Sequence, residues 1–160
     1  MNRIVFLLPA LAILSACGKA DGELTAGNWK NSMTMSKFDI PGAPPEVAAR
    51  AKGMLGQAQT SEACMSAAQA KAGVRDFSSS MQQGDCKMED FTQGSGKMSG
   101  KMVCTGTSGF GAPTMTMDGT YTPEKVSMTL AGEVSDSKLP GGKANIGLTI
   151  TSERTGDCKS

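Results

Sequence analysis

Residues 114–134 read TMTMDGTYTPEKVSMTLAGEV, in which apolar or small side chains alternate with polar ones at a period of two. Successive side chains of a β-strand point to opposite sides, so this period predicts strands with one buried face. The Pro123-Glu124 pair interrupts the alternation and suits a two-residue turn. Three apolar or small pairs would then face each other on one side: Tyr121 with Val126, Gly119 with Met128, and Met117 with Leu130. The stretch predicts an antiparallel hairpin, with a longer loop as the alternative because the tightest hairpins prefer Asn-Gly turns.

A second alternating stretch surrounds the turn-like sequence TQGSGK. A hairpin that pivots on Ser95 would set Cys86 opposite Cys104 and Met88 opposite Met102, all on one face. Directly opposed residues have Cβ atoms roughly 4.5–5.5 Å apart, so a small adjustment is enough to bridge two cysteines. The register therefore predicts a disulfide between Cys86 and Cys104.

The chain has an odd set of five cysteines, namely Cys17, Cys64, Cys86, Cys104 and Cys158. The gaps between the last four are 22, 18 and 54 residues, which do not match the short CxxC spacing of a zinc site. An even set in an exported domain indicates disulfides, and the Cys86–Cys104 pair leaves Cys64 with Cys158. The chain-entropy model assigns the two crosslinks about 3 and somewhat under 5 kcal/mol.

The start of the chain accounts for the odd cysteine. Arg3 precedes an apolar run from Ile4 to Leu14, which is the layout of a secretory signal. As a helix this run would be about 16 Å long, too short for a hydrocarbon core of about 30 Å. The stretch Leu14-Ser15-Ala16-Cys17 resembles the lipobox of bacterial lipoproteins, in which the cysteine is acylated, with palmitate for example, and becomes the first residue. An ordinary signal peptide with a stray cysteine is the alternative.

We therefore predict a signal peptide over residues 1–16, a lipidated tether over 17–26 and one disulfide-bonded domain over 27–160. The tether sequence is polar and rich in glycine, which predicts flexibility. Two or more acyl chains hold a protein stably at a bilayer. In similar lipoproteins an aspartate after the cysteine often means retention in the inner membrane. Because Gly18 follows here, we expect attachment to the outer membrane of a bacterial cell envelope, facing the periplasm.

The remaining segments predict further strands and two short helices. Trp29, Met33 and Met35 share one parity, which predicts a strand with a bulge near Lys37, and Ile146, Leu148 and Ile150 predict the last strand. One helix begins at Pro44-Pro45 and has Val47, Ala51, Met54 and Leu55 on one face. Ser66-Ala67-Ala68-Gln69 is a capping box, and its helix is expected to run to about Ala72 with Gly73 as the stop, before a β pattern from Phe77 onward.

Together these elements predict a mainly β (α+β) fold, an antiparallel meander of about six strands. It would form a curved sheet or half-open barrel, with its one apolar face covered by the two helices. A closed small barrel is the competing architecture.

The chain has no histidine. This absence removes imidazole as a general base and as a metal ligand, and it excludes most nucleophilic triads. No GxSxG, HExxH, GxGxxG or phosphate-loop motif occurs in its required context. The acid pairs Glu89/Asp90 and Glu133/Asp136 are typical of solvated strand or turn residues. We therefore expect a protein that is not an enzyme and needs no cofactor.

Charge indicates which partners to expect. Lys and Arg number 16 against 15 Asp and Glu, and no basic run occurs, so a nucleic-acid partner is not expected. We expect a monomer that meets the membrane through its lipid anchor. A hydrophobic small molecule or an envelope protein is the further partner that we expect.

Several short motifs, in order along the chain, resemble one family. They are Gly27-Asn28-Trp29, Cys64-Met65-Ser66 with Ala70, the pair Cys86 and Cys104, Gly119-Thr120-Tyr121, and Gly156-Asp157-Cys158. The set resembles the domain-of-unknown-function family 3617, small exported proteins that are often made as lipoproteins. Relatives tend to carry glycine where this chain has Pro123-Glu124. The resemblance implies no activity, cofactor or catalytic residue.

Two functions are consistent with these patterns. The first is a non-catalytic binding or envelope-structural role, in which the apolar sheet face takes a hydrophobic ligand or partner, because methionine side chains adapt to irregular shapes. Helices that simply fill that face are the alternative reading. The second function is metal handling, since thioethers select Cu(I) and the 12 methionines include two M-x-M pairs, Met33/Met35 and Met115/Met117.

Overall fold

One antiparallel sheet of seven strands makes up most of the computed structural model, which describes residues 19–53, 55–80, 86–105 and 113–159. Helix α1 (Pro45–Gly53) follows the first strand and helix α2 (Ala67–Ser80) follows the second. The predicted signal peptide, Cys17 and Met54 lie outside the described residues. In chain order the strands are β1 (Gly27–Asp39), β2 (Ala58–Met65), β3 (Cys86–Gly94), β4 (Lys97–Cys104), β5 (Thr114–Thr122), β6 (Lys125–Ser135) and β7 (Lys143–Gly156).

The strands lie in the order β2-β1-β7-β6-β5-β4-β3. Every strand therefore pairs with its neighbour in the chain except β2 and β3, and the first strand pairs with the last. The sheet is open between β2 and β3, and α2 is the segment that connects these two edges. The predicted antiparallel, mainly β fold with two helices is confirmed, with seven strands rather than six. The closed barrel is wrong for the described strands, because the two edges do not pair.

The registers of both predicted hairpins are confirmed. On β5 and β6 the pairs are those expected, Tyr121 with Val126, Gly119 with Met128 and Met117 with Leu130. On β3 and β4, Cys86 lies opposite Cys104 and Met88 opposite Met102. A bulge between Glu89 and Thr92 shifts the pairs nearer the turn by one residue. The predicted irregularity of β1 is also present, as a register shift between Met35 and Lys37.

Two disulfides form the predicted pairs. Cys86–Cys104 crosslinks the neighbouring strands β3 and β4. Cys64–Cys158 joins edge strand β2 to the segment after β7, across a sequence separation of 94 residues. This second crosslink ties edge strand β2 to the chain just after β7.

Strand β2 has no counterpart in the sequence prediction. Its sequence, AQTSEACM, shows no apolar alternation, and all but one of its residues are exposed. It is a strand because its backbone pairs with β1 along its whole length, from Gly27 with Met65 to Thr34 with Ala58. An edge strand that is exposed on both faces lacks the hydrophobic pattern that makes a strand recognisable.

Helix α2 begins as predicted and continues further. The Ser66 hydroxyl accepts from the Gln69 N–H, while Gln69 Oε1 accepts from the Ser66 N–H at 2.9 Å, which is the reciprocal capping box. The predicted stop at Gly73 is wrong, because the helix resumes after a kink and reaches Ser80, so the β pattern expected from Phe77 is wrong as well. Gly73 forms the kink with φ 71° and ψ −152°.

The inner face of the sheet, which carries Trp29, Met117, Val126 and Met128, holds the core. Long methionines fill the space above inward-facing glycines. Gly119 lies opposite Met98 and Met128, and a Cβ at this glycine would come within 2.7 Å of Met98 Cε. Glycine gaps and unbranched methionines therefore pack as complements across β4, β5 and β6.

The segment ahead of β1 packs against the domain. The sequence predicts a flexible tether here, whereas the structure places Leu24 in the core with 3% of its surface exposed. Its backbone N–H donates to the Ala70 carbonyl at 2.9 Å, and the Thr25 N–H donates to the Pro123 carbonyl at 2.6 Å. One buried apolar side chain is enough to hold this polar segment against the domain, because its main chain also forms hydrogen bonds with the domain.

Candidate binding groove

Helix α2 covers only part of the inner face. Ala70 and Val74 of the helix pack with Trp29 in the buried core, near the start of β1. Further along β1 the floor is open to solvent. We call this region the open groove and define it by six residues: Asn31, Met33 and Met35 of β1, Gln59 of β2, and Leu148 and Ile150 of β7.

Strand register brings the apolar residues of the groove together. Met33 lies opposite Ile150 on one side and Gln59 on the other, and Met35 lies opposite Leu148. Met33 is 44% exposed and is the large apolar side chain that stands out as exposed among the described residues. Met35, Leu148 and Ile150 are half-buried. The floor of the groove is therefore an apolar stripe that the protein itself leaves partly uncovered.

Three cavities follow one another along this floor. The first, about 190 Å³, lies between α2 and the strands β1 and β2, where Trp29 and Phe77 line it. The second and third, about 220 and 160 Å³, share Met33 and Gln59. Asn31 lines both the first and the second cavity. The groove thus follows β1 from Trp29 to Met35, and it begins under the helix.

A polar pair interrupts the apolar floor. Ser152 is buried on β7 opposite Asn31, and its hydroxyl donates to Asn31 Oδ1. A buried hydroxyl needs such a partner, which explains the asparagine inside an otherwise apolar stripe. With its carbonyl oxygen occupied, Asn31 has its amide N–H groups to offer in the groove.

The end of the inner face near the β3–β4 and β5–β6 turns is closed. Asp21 accepts hydrogen bonds there from the Tyr121 hydroxyl at 2.6 Å and from the Ser95 N–H at 2.8 Å. These bonds, led by that of Tyr121, hold the pKa of Asp21 below its usual 3.8. Burial, and then the neighbouring carboxylate, raise the pKa of Tyr121 above its usual 10.0. The pair fastens the closed end and lies away from the groove.

The structure does not bring the two M-x-M pairs together. Met115 and Met117 are core residues of β5, with 5% and 1% of their surfaces exposed, whereas Met33 and Met35 lie in the open groove. Strands β7 and β6 separate the two pairs, so they lie roughly 14 Å apart along the sheet at ~4.8 Å per strand. Four thioethers at this separation cannot share one Cu(I) ion.

The acidic residues singled out in the sequence also lie apart from the groove. Glu89, Asp90 and Glu133 are exposed, and Glu133 forms an ion pair with Lys143 at 2.8 Å. Within the described ranges, no group of three or more His, Cys, Asp or Glu side chains could hold a metal ion.

Sequence reasoning identified the methionines and aliphatic residues of the groove but missed its polar members. Asn31 has the same strand parity as Trp29 and Met33, and this was the one available indication that it faces inward. Gln59 offered no such indication, because its strand was not recognised. The apolar side of the groove was therefore predictable and its polar rim was not.

No helix in the described part of the chain is both long and apolar enough to cross a bilayer. Residues 24–158 match the family model of DUF3617, described as a protein of unknown function. No match to the chain is found among curated proteins or among solved structures.

Proposed function

The chain belongs to the DUF3617 family of proteins of unknown function, and from its own groove we propose that it is a non-catalytic binding protein for an apolar ligand. The ligand is a single flexible hydrocarbon chain, such as the acyl chain of a fatty acid or a lipid. It lies along the open groove, from the space under α2 toward Met35.

The observation that carries this proposal is the uncovered apolar floor. Met33 is 44% exposed, and half-buried Met35, Leu148 and Ile150 surround it. Apolar surface left in water forgoes roughly 25 cal/mol per Å² of stabilisation, so contiguous exposed apolar residues rimmed by polar ones are typical of binding sites. Methionine suits a surface that adapts to its ligand.

The shape of the groove favours a chain over a ring system. Each of the three cavities, about 190, 220 and 160 Å³, is smaller than the pockets of about 300–1,000 Å³ that hold drug-sized molecules. Neighbouring cavities share lining residues, Asn31 between the first and the second and Met33 between the second and the third. A thin, flexible ligand can occupy such a row of small spaces. The amide groups of Asn31 and Gln59 can donate hydrogen bonds to the oxygen of a headgroup.

Trp29 provides a direct test, because it is the single tryptophan and it lines the first cavity. Dibrominated stearate quenches tryptophan fluorescence on contact. We expect saturable quenching of Trp29 by dibrominated stearate, and recovery of the fluorescence when ordinary stearate competes. Native mass spectrometry of protein extracted from cells supplies a second readout, in which added fatty acid should shift the mass.

Met33→Glu is the variant that tests the location. We expect it to weaken stearate binding by about tenfold or more, because an ionised carboxylate beside an alkyl chain is unfavourable. Thr34→Glu is the matched control, since it adds the same charge at the next residue of β1, on the other face of the sheet. Absence of quenching in the unmodified protein, or equal quenching in both variants, would remove the groove as a ligand site.

We propose further that the protein is a lipoprotein acylated at Cys17, attached to the outer membrane and facing the periplasm as a monomer. The lipobox-like sequence before Cys17 and the even set of disulfide-bonded cysteines support this location. The intact mass of the protein purified from membranes should include acyl groups, and Cys17→Ser should release it from the membrane fraction. An unmodified cysteine at position 17 would contradict the proposal.

A further inference from the structure

The segment Lys19–Ala26 is built into the closed end of the sheet. Leu24 fills a space in the core, and its backbone N–H donates to the Ala70 carbonyl of α2. In return, the Val74 N–H of the same helix donates to the Gly22 carbonyl at 2.9 Å. The segment and the helix therefore form reciprocal main-chain hydrogen bonds around one buried leucine.

Polar side chains fasten the same segment at both of its ends. Near its start, Asp21 accepts from Tyr121 and from the Ser95 N–H. Near its other end, the Trp29 indole N–H donates to the Thr25 carbonyl at 2.9 Å, and Arg154 Nε donates to the Ala26 carbonyl at 2.8 Å. Three strands, β1, β5 and β7, and the turn between β3 and β4 thus contribute to holding the eight residues before β1.

The kink of α2 lies where this segment passes. Gly73 has a positive φ of 71°, and a Cβ at this position would lie 2.1 Å from the Gly22 carbonyl oxygen. A straight helix with an ordinary residue there would exclude the segment. The kink at Gly73 therefore makes room for the segment. The segment Lys19–Ala26 is for this reason an integral part of the domain.

This packing leaves very little chain between the domain and the proposed anchor. Cys17 is two residues from Lys19, and two residues span at most about 7 Å. A free tether of ten residues would instead have a root-mean-square length of roughly 17 Å and would let the domain turn in any direction. A connection of at most about 7 Å restricts the orientation of the domain on the membrane, whereas a free ten-residue tether does not.

We infer that the domain rests directly on the bilayer with its closed end facing the lipid headgroups. This end comprises the turns Ser95-Gly96 and Pro123-Glu124, which lie beside Lys19. The inference rests on the proposed acylation of Cys17 but not on any ligand in the groove. Met33 is six residues beyond Gly27 along β1, so the groove is held about 20 Å further from the membrane at ~3.3 Å per residue.

Charges at the closed end do not select anionic lipids. Lys19, Lys97 and Lys125 lie there together with Asp21, Glu23 and Glu124, so the positive charges do not outnumber the negative ones. The short anchor is then the main cause of the orientation. Consequently the orientation should change little with salt or with the content of anionic lipid.

Headgroup-specific quenching of a fluorophore tests this orientation. Glu124→Cys and Lys138→Cys place a single new thiol at opposite ends of β6, both at exposed positions, for labelling with the same fluorophore. The acylated proteins are reconstituted in phosphatidylethanolamine–phosphatidylglycerol vesicles that contain a lipid with a spin-labelled headgroup. We expect quenching several-fold stronger at position 124 than at position 138.

A second variant lengthens the chain between the segment Lys19–Ala26 and the anchor and changes no residue of the fold. A ten-residue Gly-Ser insertion between Gly18 and Lys19 should bring the quenching at the two positions close together. Equal quenching in the protein without the insertion, or an unacylated Cys17, would overturn the inference. Trp29 quenching by dibrominated stearate needs no membrane, so the groove proposal can stand or fall independently of this result.

Discussion

Replacing Leu24 with alanine tests whether the segment before β1 belongs to the fold. Leu24 is 3% exposed and contacts the core between Trp29 and helix α2. Truncation of a fully buried leucine costs about 2–5 kcal/mol, depending on how far the site can collapse. Because only the side chain is removed and the main-chain hydrogen bonds of the segment remain, we expect a loss of about 2–3 kcal/mol.

Urea unfolding measures this loss through the fluorescence of Trp29, without reductant so that both disulfides remain. For a domain of this size the dependence of the free energy on urea is about 2 kcal/mol per M, so the midpoint should fall by roughly 1–1.5 M. Met33→Ala is the matched control. This side chain is 44% exposed, so its truncation should change the stability by at most about 1 kcal/mol.

The urea midpoints of Leu24→Ala and Met33→Ala together can refute the packing of residues 19–26. If residues 19–26 were a free tether, Leu24→Ala would leave the midpoint unchanged, whereas Met33→Ala would still lower it slightly. A midpoint for Leu24→Ala equal to or above that of Met33→Ala would refute the packing of this segment. A lower slope in both variants would instead indicate that unfolding is not two-state.

Three further changes have definite expected outcomes. Gly73→Ala should lower the stability by more than about 2 kcal/mol in a thermal melt, because φ is 71° and the new Cβ would lie 2.1 Å from a carbonyl oxygen. Gly132→Ala should cost about 1–3 kcal/mol by the same measurement, since its Cβ would lie 2.2 Å from the Thr114 carbonyl oxygen; an unchanged melting temperature would contradict the close approach of β5 and β6. The lowered pKa of Asp21 means that its bond to Tyr121 stabilises the fold above about pH 4 and that this contribution is lost as the pH falls through the lowered pKa. The raised pKa of Tyr121 means that the contribution is also lost as the pH rises through that pKa, above 10.0. Urea midpoints measured against pH should therefore fall less steeply in acid for Asp21→Asn than for the unmodified protein, and parallel curves would exclude the pair as a source of acid sensitivity.

The hairpins were predictable because their information is local. In β5 and β6 each inward residue is apolar or glycine and each outward one is polar except Ala131, so parity and the two-residue turn together specify every pair. The same reasoning placed Cys86 opposite Cys104. The bulge near Asp90 was not predicted, because nothing in the residue types distinguishes an extra residue in a strand from a regular one.

The candidate site was predictable only on its apolar side. Met33, Met35, Leu148 and Ile150 share the parity of buried strand residues, and the sequence placed them correctly on one face. Their partial exposure could not be read from the sequence, because it depends on where α2 ends and which strands it covers. The exclusion of a shared copper site likewise required the order of the strands in the sheet.

Alternation, turn residues and a capping box act over a few residues, and for this reason the sequence alone specifies the β3–β4 and β5–β6 hairpins, the start of α2 and the crosslink between β3 and β4. Long-range packing determined the features that the sequence did not predict. Polar β2 becomes a strand only against β1, and α2 continues past Gly73 only because the glycine kink admits the backbone of the preceding segment. The segment Lys19–Ala26 has the composition of a tether, yet one leucine and a set of main-chain hydrogen bonds hold it in the core. Composition reports what a segment prefers in isolation, whereas burial depends on the partners that the completed sheet provides.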